Sequence, residues 1–136
     1  MDLIGSIKIA ASGLRAQTGR MRIIAENLAN SDSTASTKGG DPYRRRIPTF
    51  QSFYNNEVGG YVVRQGRVKL DQTAFSLSYQ PGHPAANDKG YVKKPNVNSL
   101  IELTDMRQAQ RGYESNLNLI KASRRMLSAT IEILRA

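Results

Sequence analysis

Few side chains in this sequence are placed to do chemistry. Its single histidine, His83, sits in Pro81-Gly82-His83-Pro84. A lone imidazole can act as a base, but no neighbouring motif presents a nucleophile or paired carboxylates to it. His83 is expected to be a turn residue bonding locally. Metal sites need three or four converging ligands, and one His with no Cys argues against a transition-metal centre. Gly39-Gly40 lacks both the preceding strand and the following Lys-Ser/Thr of a phosphate loop. The chain is therefore read as a non-enzyme with no catalytic residue, no metal and no cofactor. Arg44-Arg45-Arg46, beside Tyr43, is the strongest basic cluster. It could grip phosphate or nucleic acid. It could equally open a strand whose side chains reach acidic groups on a neighbouring subunit. Three residues do not decide between these, and the second is the working expectation.

The elements that must position these residues begin with two long helical stretches. Ile4, Ile7, Ala11, Leu14, Thr18, Met21, Ala25 and Leu28 keep alternating three- and four-residue steps, the mark of a heptad seam. Ideal geometry makes residues 3–29 about 40 Å long. Ala10-Ala11-Ser12-Gly13 is small throughout, and Gly13 costs a helix interior roughly 1 kcal/mol relative to Ala. Two readings follow: a segment that frays, or a site where another helix approaches closely. The second seam is Leu103, Met106, Tyr113, Leu117, Ile120, Leu127, Ile131 and Leu134, interrupted by Gln110 and Arg124. Those interruptions read as polar register marks that help choose neighbours. Ala122, Ala129 and Ile133 widen the apolar face beyond the seam. A lone pair of helices would leave such stripes exposed, which favours packing between subunits over a monomeric hairpin. In a dilute free subunit both helices are expected to be marginal.

Asn30-Ser31-Asp32-Ser33-Thr34 should end the first helix, because short polar side chains compete for its backbone. The middle holds all three Phe and five of the six Tyr. Arg45–Tyr54 reads as extended, with Pro48 confining it to an edge. Tyr61–Leu70 is the best strand, with a bulge or tight turn at Gly66. Phe75, Leu77 and Tyr79 alternate with Ser76 and Ser78, a half-buried strand signal. Residues 80–95 look irregular, apart from a short extended piece at Tyr91-Val92. Pro95 ends any helix upstream, and Asn96–Ser99 offers an N-cap. Ser99 with Glu102 has capping-box spacing. The expected fold is mainly α with a small β-rich middle. The N- and C-terminal helices pair as a coiled-coil bundle, with a β or irregular insertion between them. Residues 1–30 and 96–136 would form the helical assembly domain, and 31–95 the β-rich middle domain.

Composition narrows the function classes. At 136 residues there is room for about one domain. No run of apolar residues is long enough for a membrane span, and Met1-Asp2-Leu3-Ile4-Gly5 does not open a cleavable secretory signal. The absence of Cys suits the cytoplasm, or export of an unfolded chain into an oxidising compartment. The net charge of +9 sits mostly in the middle: residues 31–95 carry ten basic and five acidic groups. That weakens a basic nucleic-acid-binding helical module, which concentrates charge on one helical face. A solvated basic surface is the plainer account.

Several blocks carry a family resemblance. Ala11-Ser12-Gly13-Leu14-Arg15-Ala16-Gln17, Arg20-Met21 and Ala25-Glu26-Asn27-Leu28-Ala29-Asn30 resemble the N-terminal signature of bacterial flagellar rod and hook axial proteins, with Asn27 and Asn30 as its asparagines. Asp41–Arg45, Pro81–Ala85, Gly90–Val92, Pro95–Asn98 and Gln110–Asn116 resemble the proximal-rod type in that family, with another short rod protein as the alternative. The Thr that many relatives place soon after the second Asn is delayed here to Thr34. The resemblance implies a structural, torque-transmitting part of the flagellar basal-body rod that crosses the periplasm. It implies export through the flagellar type III apparatus without a cleaved signal. The implied partners are other rod proteins, copies of the same chain and the adaptor between rod and MS ring. No nucleic acid and no membrane span are implied.

Overall fold

Two long helices bracket three short β ribbons. The computed structural model describes residues 3–135. Helix α1 spans Leu3–Ala29 and α2 spans Ser99–Arg135. Between them lie β1 (Arg46–Ile47), β2 (Phe50–Asn55), β3 (Gly60–Gln65), β4 (Lys69–Leu70), β5 (Ser76–Tyr79) and β6 (Tyr91–Lys94). They pair antiparallel as β1–β4, β2–β3 and β5–β6. The chain thus adopts the expected class, mainly helical with a small β-rich middle between packed terminal helices.

By packing, the chain divides into two compact units, and both helices contribute to each. The first comprises residues 1–21, 48–67 and 107–136. Here α1 and α2 run antiparallel at close range. A Cβ on Gly13 would stand 2.8 Å from Asn116 Nδ2, and one on Gly112 would stand 3.1 Å from Gln17 Nε2. Each glycine thus accommodates an amide side chain of the other helix. One turn further along, Arg20 donates to Gln108 Oε1 at 3.0 Å. The close helix approach read from Gly13 is realised, inside the chain. The fully buried helix residues in this unit are Gly5, Ala10, Ser12, Ala16, Ala109 and Ser123, none of them large. The fit leaves Gln17 Oε1 buried without a hydrogen bond among the described residues.

The β2–β3 hairpin packs on α1 through a serine. Ser12 Oγ accepts the Val63 N–H at 3.1 Å and donates to the Ile9 carbonyl at 2.6 Å. A buried hydroxyl needs such partners, since losing them costs about 1–3 kcal/mol. Pro48 separates β1 from β2, as its missing N–H requires. Gly66 follows β3 and donates its N–H to the Thr49 carbonyl at 2.7 Å. The single strand expected over Tyr61–Leu70 is interrupted at Gly66, ending as β3 at Gln65 and resuming as β4 at Lys69.

The second unit comprises residues 22–47 and 68–106. Its apolar centre is small: Ala85, Ala86 and Val92, with Ala35 against them, and Ile23 and Ile24 buried on α1. Two expectations need correction here. The alternating Leu77 and Tyr79 of β5 face outward, at 62% and 64% exposure. The inward face of this ribbon carries Val92, and Ser78 lies opposite it. Two alanines stacked over Val92 leave room for a serine but not for Leu or Tyr. Tyr79 instead meets Tyr91 edge to face across the ribbon, ring centroids 5.2 Å apart. Second, the N-cap of α2 is Asn98, not Ser99. Asn98 Oδ1 accepts the N–H groups of Leu100 and Ile101 at 3.0 and 3.4 Å, and Glu102 turns away from the helix end. The α1 terminus follows expectation: Asn30 Nδ2 donates to the Glu26 carbonyl and Ser31 Oγ to the Leu28 carbonyl.

The glycine contact generates a test. Gly13→Leu should destabilise the chain by about 1–3 kcal/mol in urea unfolding, the usual penalty of overpacking a close contact. Adding Asn116→Ala should recover a good part of that loss, because it removes the atoms the new side chain meets.

Candidate assembly surface and its buried clamp

Glu102 organises the second unit. It lies one turn into α2, and its side chain has essentially no exposed surface. One carboxylate oxygen takes the Arg45 Nε–H at 2.5 Å, and the other takes Asn27 Nδ2–H at 3.1 Å. Asn27, equally buried on α1, is fully satisfied. Its Nδ2 also donates to the Arg46 carbonyl at 2.8 Å. Its Oδ1 accepts the Arg46 N–H at 2.9 Å and the Tyr43 hydroxyl at 2.8 Å. The Asn27 amide therefore meets Arg46 as a neighbouring strand would, offering one donor and one acceptor. Only Asn or Gln can do this, and only Asn is short enough for a helix this close.

The second layer reaches the chain on either side. Arg45 also meets Asp71 at 3.4 Å and Asp105 at 3.8 Å. Its backbone N–H donates to Asn96 Oδ1 at 2.8 Å, and Asn96 Nδ2 donates to the Asp71 carbonyl and to Thr73. Burial opposes the charge on Arg45, but Glu102 and then Asp71 outweigh it, and its pKa is raised. Burial lifts the Tyr43 hydroxyl above its ordinary 10.0, so it remains a donor at neutral pH. Asp71 is held below 3.8, first by the N–H and hydroxyl of Thr73 and then by Arg45.

The basic cluster is thus spent largely within the chain. Arg44 donates to the carbonyls of Asp71 and Thr73 and lies 4.2 Å over the Phe75 ring. Arg46 pairs with Glu26 at 2.9 Å. Two guanidinium groups on carboxylates and a third on carbonyls and an aromatic face do not form a common grip for a phosphate backbone. His83 behaves as a turn residue: its Nδ1 accepts the Ala85 N–H at 3.0 Å. Among the described residues no cluster of His, Cys, Asp and Glu is arranged to hold a metal ion, and no helix is long and apolar enough to cross a membrane.

The heptad seams lie elsewhere on the helices. On α1, Ile4 and Ala25 are exposed, and Ile7, Ala11, Leu14, Met21 and Leu28 are half-buried. On α2, Leu103, Ile131 and Leu134 are exposed, and Met106, Tyr113, Leu117, Ile120 and Leu127 are half-buried. The intrachain contact uses a different stripe, with Gly13, Gln17 and Arg20 facing Asn116, Gly112 and Gln108. This register would bring Leu3, the first described residue, opposite residue ~126 at the 1.5 Å rise per residue of both helices. The last turns of α2 then lie beyond it, and Ile133 and Leu134 are 76% and 80% exposed.

Asn27, Tyr43 and Asn96 lie in sequence blocks that carry the family resemblance, but nothing there marks them as one cluster, and Glu102 and Asp71 carry no such mark. The one available signal was a carboxylate directly beside a seam position, and capping-box spacing offered it a local explanation.

Two outcomes follow from the clamp. Asn27→Asp puts a carboxylate against Glu102 and removes the donor between them, so it should destabilise the chain at pH 7 by about 3 kcal/mol. The deficit should shrink as the pH falls and one of the two carboxyls takes up a proton, which urea unfolding at several pH values would record. The second concerns Asp71. Its folded pKa is depressed, so its contribution is complete above 3.8 and is lost as the pH falls through the lower folded value. Asp71→Asn should flatten that acid limb of the stability profile.

Comparison with known proteins agrees with this architecture. A family model described as "Flagellar basal body rod FlgEFG protein C-terminal" matches residues 88–133, which include all but the last two residues of α2. The flagellar basal-body rod protein FlgC of Agrobacterium fabrum is 46% identical over 134 residues, covering 98% of this chain and 96% of the relative. The FlgC proteins of Bacillus subtilis and Aquifex aeolicus are each 36% identical, covering 98% and 97% of this chain and 99% and 97% of their own lengths. With near-full-length identity of this order on both sides, the chain belongs to the FlgC family of flagellar basal-body rod proteins.

Proposed function

We propose that this chain is a non-catalytic structural subunit of the flagellar basal-body rod, of the proximal type, which assembles through the outer faces of its terminal helices and transmits torque. One observation carries the reading. The helix pair buries glycine, alanine and serine against itself, while Leu103, Ile131, Ile133 and Leu134 stay exposed. Large apolar side chains on the outside of a packed pair are what an assembly surface requires. On this reading Ile4, Ile7, Ala11, Leu14, Met21, Ala25 and Leu28 form one seam toward neighbours. Leu103, Met106, Tyr113, Leu117, Ile120, Leu127, Ile131 and Leu134 form the other. Residues 1–30 and 96–136 serve assembly, and 31–95 reach neighbours further out, although Arg44 and Arg45, expected to reach those neighbours, are engaged within the chain and leave only the half-exposed Arg46 on the surface. The neighbours are other rod proteins, copies of the chain and the rod-to-MS-ring adaptor, reached after export through the flagellar type III apparatus without a cleaved signal. The rod would cross the periplasm.

The test is genetic and structural together. A strain lacking this gene should not swim, and its purified basal bodies should lack complete rods. Leu117→Asp on the same chromosome should reproduce that defect, while the purified variant keeps the near-ultraviolet signal of its tyrosines. Normal swimming and complete rods in either strain would refute the reading.

A further inference from the structure

The charge of this chain is unevenly spread between its two packing units. The first carries eleven basic and four acidic residues, the second nine and seven. The difference in pairing is larger still. In the second unit Arg45, Arg46, Lys38 and Lys93 all sit on carboxylates. In the first, Lys8, Arg15, Arg107, Arg111, Lys121, Arg124 and Arg125 are exposed, and none forms an ion pair among the described residues.

Some of that charge borders a groove. Between α1 and the β2–β3 hairpin lies a groove of about 460 Å³, with Ala11, Ala16, Val62 and Phe53 among its apolar lining and Lys8, Arg15 and Arg64 among its charged residues. Lys8 and Arg15 are one heptad apart on α1, two turns or about 10.5 Å along the axis. Each directly follows a seam residue, Ile7 and Leu14. They therefore occupy the position that flanks a helical seam, where charge selects the partner. Arg64, on the hairpin wall of the groove, is steadied by Phe53 of the paired strand, with its guanidinium carbon 4.5 Å from the ring centroid. Glu57 is the one acidic residue lining the groove.

A second copy of this chain is a poor occupant. The exposed charges on α2 from residue 107 onward are Arg107, Arg111, Lys121, Arg124, Arg125 and Arg135 against Glu114 and Glu132. That helix would set basic residues against Lys8, Arg15 and Arg64, and like charges across an interface suppress the pairing. We propose that the outer face of α1 in this unit is a heterotypic docking surface for an amphipathic helix of a different protein, one that carries Glu or Asp beside its apolar seam. The inference rests on the reading of the α1 seam as an assembly surface and adds the charge of the partner. The partner's apolar stripe lies along Ile7, Ala11 and Leu14, and its carboxylates, one heptad apart, meet Lys8 and Arg15.

The full chain can be titrated with two synthetic four-heptad peptides. They share a Leu/Ile seam and differ only in carrying Glu or Lys at the flanking positions. Fluorescence anisotropy at low salt should show the Glu peptide binding about tenfold tighter, a preference that shrinks as salt screens the exposed pairs. Lys8→Glu with Arg15→Glu should reverse it, and Lys8→Gln with Arg15→Gln should abolish it, with helix content unchanged by circular dichroism in both. Lys8→Arg should retain it. Equal binding of the two peptides, binding of neither, or a preference untouched by the reversal would overturn the proposal. So would self-association of the unmodified chain in sedimentation that strengthens as salt is lowered. Failure here together with rod loss in the Leu117→Asp strain would sink only the charge assignment; intact rods in that strain would sink the assembly reading itself.

Discussion

A carboxylate with almost no contact with water, flanked by Asn27 and Arg45, is what the second packing unit depends on. Burying such a charge is costly unless it is paired and its remaining oxygen is satisfied. Both conditions are met, and meeting them fixes much else. Asn27 can reach Glu102 only if the end of α1 lies beside the start of α2. Arg45 can reach it only if the strand entering β1 passes between them, where Asn27 also takes both backbone groups of Arg46. Asn96 then ties the approach to α2 back to the Arg45 backbone. Two helix ends, one strand and one linker are thereby located by directional bonds. Apolar packing is modest here: Ala85, Ala86 and Val92 with Ala35 against them, and Ile23 and Ile24 on α1.

In the first unit the helices meet by a different means. Glycines opposite amides allow close approach without large buried side chains. The consequence is a division of each helix into faces. One face is consumed by the partner helix, and on α1 another is consumed by the β2–β3 hairpin through Ser12. The third face keeps the leucines and isoleucines. A helix pair held by small residues and polar bonds leaves its larger hydrophobes exposed or half-buried.

Charge follows the same partition. The sequence places the basic excess in residues 31–95, yet much of it there is met by Glu102, Asp71, Glu26, Asp88 and Asp41. In the other unit Lys8, Arg15, Arg107, Arg111, Lys121, Arg124 and Arg125, all on the helices, form no ion pair among the described residues. Linear charge counts overlook this, because pairing depends on which residues the fold brings within about 4 Å and not on which are near in sequence.

What the sequence by itself determined is the local and periodic part. The two helices, their apolar stripes, the stop at Asn30, the interruption at Gly66 and the turn around His83 all follow from backbone restrictions and side-chain spacing within a few residues, whereas the extended run expected over Arg45–Tyr54 is split at Pro48. The close helix contact at Gly13 was legible as a possibility, for only a small residue permits it. What the tertiary structure alone decided is which face of each helix looks inward, which side of β5 meets the core, and what Glu102 binds. A heptad pattern says that a helix has an apolar stripe, but it does not say whose stripe it meets. Ser99 and Glu102 satisfied a capping rule on paper. The fold offered Glu102 an arginine and an amide more than fifty residues away in sequence, and a buried charge goes to the partners that satisfy it best.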